Sequence, residues 1–108
     1  VDKSAKLKAF ALEMKEGYQL VQEKRYEEAK VKLRPFIELM RQSGAPHIRL
    51  FVSYSISQIR TGEFEGFLQT YQEVQEMAPK NIEEEKLKEQ LDGFFKNIME
   101  ELQKEENH

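Results

Sequence analysis

Few side chains in this sequence could do chemistry, and their spacing narrows the options further. The only histidines are His47 and His108, far apart along the chain. Metal sites built on helices use Glu-x-x-His or His-x-x-x-His, which put two ligands on one face, and neither spacing occurs. Glu-x-x-Glu pairs such as Glu73 and Glu76 do occur and read as a solvated helix face. A nucleophilic serine needs a base beside it, and Ser43, Ser53, Ser55 and Ser57 have no histidine near them in sequence. Ser53, Ser55 and Ser57 alternate, so in a helix they point in different directions. His47 follows Pro46 at an expected helix start, where an imidazole lies at the surface. With no cysteine, disulfides, iron–sulfur ligation and thiol chemistry are excluded. Ser43-Gly44-Ala45 offers one glycine where a phosphate loop needs several. The reading is a non-catalytic chain with no cofactor and no metal.

The elements that carry these residues are all helical. Leu7, Phe10, Met14, Gly17 and Val21 recur at three and four residues and predict a helix from Ser4, as its N-cap, to Glu23. A second helix starts near Tyr26 with Ala29, Leu33, Phe36, Ile37 and Met40 on one face. Pro35 lies inside it, which predicts a kink or a late start. Ser43-Gly44-Ala45-Pro46 stops the chain and restarts it. A third helix covers His47 to Arg60, and the short Thr61-Gly62-Glu63 link folds a fourth antiparallel to it. The fourth carries Phe64, Phe67, Leu68, Tyr71 and Val74 through to Met77 and Ala78, and Pro79 ends it. Asn81 with Glu84 predicts a capping box for a fifth helix. There Leu87, Leu91, Phe94, Phe95, Ile98 and Leu102 form the stripe, and a tail from Lys104 frays.

A length of 108 residues fits one domain with a core of its own. No apolar run reaches the roughly 18–20 residues of a membrane span, and no signal-peptide core follows Val1-Asp2-Lys3-Ser4. Val1 in place of Met reads as the start of a trimmed fragment. The net charge of −3 conceals a gradient. Residues 1–50 carry 11 Lys and Arg against 7 acidic residues, whereas residues 51–108 carry 6 against 13. Solvated helix faces account for such a gradient, and so does a surface that meets a partner.

Lys24-Arg25-Tyr26-Glu27-Glu28-Ala29 and Thr61-Gly62-Glu63-Phe64-Glu65-Gly66-Phe67 share one design: a polar tight turn, an aromatic, then a helix. The second copy closes on Met77-Ala78-Pro79-Lys80-Asn81. On these residues the chain resembles the tetratricopeptide repeat family over about residues 10–81. Phe64 and Tyr71 stand at the family's aromatic positions, Ser55 at the close approach of paired helices, and Pro79 at the closing proline. The first copy matches through Gly17, Leu20, Tyr26, Ala29 and Leu33. Three departures stand out: Phe67 where a small residue is expected, an interval of 38 residues between Tyr26 and Phe64, and Pro35 within a second helix.

The resemblance implies an all-α fold, an α-α superhelix of two antiparallel helix hairpins (about 4–42 and 46–79) capped by a long helix (about 82–104). It places Tyr26 and Phe64 at equivalent points of two superposable hairpins, with Tyr71 buried between the helices of its own. It also implies a groove for a protein or peptide partner on the first helices of the hairpins: Met14, Tyr18, Gln22, Arg49, Ser53 and Ile56. Family members that grip acidic chaperone tails use Lys, Arg and Asn, where this chain has Met14, Tyr18 and Ser53, so that ligand is not expected. The expected role is a cytoplasmic adaptor or assembly subunit. Alternatives are a peptide-sensing or dimerising domain of a bacterial transcription regulator, and a helical nucleic-acid binder using Lys30, Arg34 and Arg41. Acidic residues interleaved in that helix argue against nucleic acid. The acidic faces of the fifth helix argue against a membrane surface and suit packing on protein, including the same helix of a second copy.

Overall fold

The computed structural model describes residues 3–106. It has five α-helices: α1 (Lys3–Gln22), α2 (Tyr26–Ser43), α3 (Ile48–Arg60), α4 (Phe64–Gln75) and α5 (Ile82–Glu106). The described residues contain no strand. Helix α3 is the centre of the molecule, packed against each of the other four. Its Leu50, Phe51, Val52, Tyr54 and Ile56 are all buried, beside Leu33, Phe36 and Ile37 of α2, Phe67 and Val74 of α4, and Leu91 of α5.

The two hairpin turns are built alike. After α1, Lys24 adopts the left-handed conformation at φ 63°, and the Arg25 N–H donates to the Leu20 carbonyl at 2.9 Å. After α3, Gly62 does the same at φ 84°, and the Glu63 N–H donates to the Gln58 carbonyl at 2.8 Å. Each is a left-handed helix end whose outer N–H returns to a terminal carbonyl. The next helix starts equivalently in both, with Ala29 N–H on the Arg25 carbonyl at 3.0 Å and Phe67 N–H on the Glu63 carbonyl at 2.9 Å. Every pair is related by the 38-residue interval. Gly17 and Ser55, also 38 apart, are both fully covered. A Cβ on Gly17 would collide with the Leu33 side chain, so α1 and α2 can approach this closely only with glycine there.

Several elements depart from expectation. Helix α2 is continuous, with Pro35 inside it. Pro35 and Val31, whose carbonyl it leaves without an N–H partner, both face outward, so water can satisfy that carbonyl while Leu33, Phe36 and Ile37 hold the inner face. Ser4 lies within the first turn of α1. His47 is itself the N-cap of α3, its Nδ1 accepting the Leu50 N–H at 3.2 Å. Helix α4 stops at Gln75, short of Ala78: the Met77 N–H closes a tighter last turn on the Val74 carbonyl at 3.0 Å, and Pro79 keeps Ala78 out of helical geometry. Tyr71 is not buried within its hairpin. It faces α5, stacked at 4.3 Å and 2° on Phe95, with its hydroxyl donating to Asp92 Oδ1 at 2.9 Å. Phe64 is half-buried and lines an apolar hollow with Phe94, Ile98 and Leu102 of α5. The cap of α5 forms through Asn81 Oδ1, which accepts the Glu84 N–H at 2.9 Å, while Glu84 accepts the Lys80 N–H at 2.7 Å. Helix α5 continues through Lys104 to Glu106; His108 lies outside the described residues.

Candidate functional site: a groove across three helices

Helices α1 and α5 lie on either side of α3 and do not meet. Between them is a groove of about 220 Å³. Val21, Val52, Ile56 and Leu87 supply its apolar surface, and Tyr18, Gln22, Arg49, Ser53 and Gln90 its polar members. Of the six residues named from sequence, Tyr18, Gln22, Arg49, Ser53 and Ile56 come together here. Met14 does not. Its sulfur accepts the Tyr18 O–H at 4.0 Å, which places it behind the ring and against the core. Ile56 is only 8 % exposed and serves as floor.

Tyr18 and Arg49 form a unit. The guanidinium lies over the ring at 4.7 Å, and Arg49 Nη1 is 3.7 Å from Glu83 Oε1 at the start of α5. One cation therefore links all three helices of the groove. Burial pushes the Tyr18 hydroxyl up to about 12, although the Arg49 charge opposes that shift. Tyr18 is therefore a neutral donor at any physiological pH. Gln22 and Gln90 are exposed and stand on the two walls. Each primary amide offers both a donor and an acceptor, the pair of groups an extended backbone needs.

Leu87, read from sequence only as part of the α5 stripe, and Gln90 were not placed in the groove because α5 reads as a cap. The 38-residue interval relates Arg49 to Leu87, Val52 to Gln90, and Gly17 and Ser55 to Gly93. That interval was the available signal. It also explains why α5 closes the array. Ile48 and Phe51, which α3 buries, correspond to Lys86 and Glu89 on α5, and both are exposed.

The basic side of α2 is not a free cationic surface. Lys30 is 5 % exposed, with Nζ 2.5 Å from Glu63 Oε1, and this bond is the main reason the Glu63 carboxyl is held below its ordinary range. Arg34 Nε donates to the Tyr54 hydroxyl at 3.3 Å. Arg41 grips Glu73 through Nε at 2.9 Å and Nη2 at 2.7 Å, and reaches the buried Thr70 hydroxyl at 3.2 Å. Arg41 thus ties α2 to α4, and Lys30 ties it to Glu63 in the turn just before α4.

His47 is half-buried, and burial lowers its imidazole below the ordinary value of 6.5. It works as a helix cap. Among the described residues, no three His or acidic side chains are arranged to hold a metal ion, and no helix is long and apolar enough to cross a membrane. No protein-family model, curated protein or solved structure significantly matches this chain.

Proposed function

We propose that this chain is a non-catalytic tetratricopeptide-like module, an adaptor or assembly subunit, that holds an extended segment of a partner protein in the groove between α1, α3 and α5. The observation that carries the proposal is the convergence of three helices on one groove, with aliphatic side chains below and two exposed amides, Gln22 and Gln90, on opposite walls. An extended peptide presents alternate side chains to the floor and backbone polar groups to the rim. The paired turns and the 38-residue register support the repeat reading, since each hairpin repeats the same left-handed helix end. We also place the module in the cytoplasm, where a chain without cysteine is unaffected by the reducing environment.

The test begins with a peptide selected from a random display library on the whole protein. Backbone amide shifts on adding it should concentrate on Tyr18, Gln22, Arg49, Ser53, Leu87 and Gln90. Ser53→Arg, which fills the groove from its half-exposed α3 side, should weaken the peptide at least tenfold, about 1.4 kcal/mol. Shifts confined to α2, or full affinity in Ser53→Arg, would place the binding surface elsewhere.

A further inference from the structure

The terminal helices both run past α3, in opposite directions. Tyr18 of α1 lies at Arg49, in the first turn of α3, so residues 3–14 of α1 extend beyond the start of α3. Arg60, the last residue of α3, lies over the Phe94 ring at 5.1 Å, so residues 98–106 of α5 extend beyond its end. The long axis of the molecule is accordingly 61 Å against 28 and 24 Å across. Each overhang leaves part of its apolar stripe in solvent. On α1 the stripe that is covered at Gly17 continues through Phe10, whose ring meets Phe36 of α2 edge-on at 5.8 Å on one side and is 43 % exposed, and through Leu7, 66 % exposed. On α5 the stripe that is buried at Leu91 continues through Ile98, Met99 and Leu102, the last 38 % exposed.

The charges on the two overhangs are opposite. Residues 3–14 hold Lys3, Lys6 and Lys8 against Glu13, and residues 98–106 hold Glu100, Glu101, Glu105 and Glu106 against Lys104. Pairing α5 with α5, or α1 with α1, sets like charges beside each other. Pairing α5 with α1 brings opposite charges together around two matching apolar stripes.

We infer that the occupant of each overhang is a second copy of this chain, docked head to tail. The α5 overhang of one copy lies against the α1 overhang of the next, taking the place beside Phe10 and Leu7 that α3 leaves empty. The copies are placed end to end with their long axes in line, so each keeps one free end and the array grows past a dimer. It uses neither the groove nor the hairpin turns.

The experiment is sedimentation equilibrium of the whole protein over a range of concentrations at low and high salt. The weight-average mass should climb above the 12.8 kDa monomer with concentration, pass the dimer, and fall back as salt screens the charges. Leu7→Asp and Leu102→Asp each place an acidic group on the stripe of one overhang, and each alone should stay monomeric and keep its helical circular dichroism at the temperature of the run. An equimolar mixture keeps one intact α5 end and one intact α1 end, so it should assemble to a dimer and no further. A wild type that stays monomeric throughout, that stops at a closed dimer, or that associates equally well with either substitution overturns the proposal.

Discussion

The Arg49 guanidinium sits over the Tyr18 ring at 4.7 Å, and this contact joins α1 to the first turn of α3. Two roles meet in it. The pair lines the groove, and it also holds the groove's walls together. The exposed cation–ring interaction contributes about 0.5–1 kcal/mol, and the half-buried Tyr18 ring adds its own burial. Tyr18→Ala should therefore lower stability by about 2 kcal/mol, whereas Arg49→Ala should cost no more than about 1 kcal/mol. Chemical denaturation of both variants and of the double variant measures this. A double variant whose loss equals the sum of the two would mean the pair is not coupled.

The two turns make a comparison within one molecule. Gly62 adopts its left-handed conformation without cost, whereas Lys24 at φ 63° carries a Cβ in a region that crowds it. Lys24→Gly should stabilise the protein by up to about 1 kcal/mol, and Gly62→Ala should destabilise it by about 1 kcal/mol or more. A Cβ at Gly62 meets no other atom, so the effect comes from backbone conformation alone. Thermal melts of the two variants should move in opposite directions.

Acidification acts first on His47. Its folded-state imidazole is shifted below 6.5 by burial, so between that lowered value and 6.5 the unfolded chain binds more protons. The stability that the neutral cap supplies is fully present above 6.5 and is lost as pH falls through that window. Protonation also removes the Nδ1 lone pair that accepts the Leu50 N–H. His47→Asn keeps an N-cap acceptor that does not titrate, so its melting temperature should stay flat from pH 7.5 to 5.5 while the wild type's falls. A second loss, at lower pH, belongs to Glu63, whose carboxyl is depressed mainly by its hydrogen bond from Lys30. Glu63→Gln should remove that step without affecting the first. Parallel declines in the wild type and His47→Asn would show that the cap is not responsible.

Tyr71 fastens α5 to α4. Its ring stacks on Phe95, and its hydroxyl shares Asp92 Oδ1 with Gln75 Nε2, at 2.9 and 3.0 Å. The hydroxyl is pushed up to about 12 by burial and by that bond. Tyr71→Phe should cost about 1 kcal/mol. Phe95→Ala should cost about 2 kcal/mol and raise amide exchange in α5 more than in α2. Deleting residues 82–108 uncovers Tyr71 and the Val52 face of α3, and the shortened protein should aggregate. Light scattering follows that outcome, and a soluble, fully helical fragment would show α5 to be dispensable.

Much of this architecture was legible from local spacing. Stripes at three and four residues located all five helices, because each helix must bury one face. The link at Gly62 was short enough to force a hairpin, and the turn at Lys24 shared its design. The groove residues were legible for the same reason: Tyr18 and Gln22, or Arg49 and Ser53, are one turn apart and share a face whatever else the chain does. Pro35 was misleading because its helix-breaking tendency is local, while the burial of Leu33, Phe36 and Ile37 on either side of it is not.

By itself, the sequence determined which faces of the helices are apolar and which residues neighbour each other within a turn. Only the tertiary structure decided what covers each face. Tyr71 turned toward α5 because α4 ends four residues later at Gln75 and the chain returns along its outer side. Lys30 and Arg41, spaced like a phosphate-binding edge, met Glu63 in the turn before α4 and Glu73 within it. Leu87 and Gln90 became the third wall of the groove because α5 lies alongside α3. Leu7 and Leu102, in the same stripes as Gly17 and Leu91, were left in solvent by the stagger of helices of 20, 13 and 25 residues. Periodicity is a property of neighbours in the chain, whereas cover depends on the lengths and offsets of helices far apart in it.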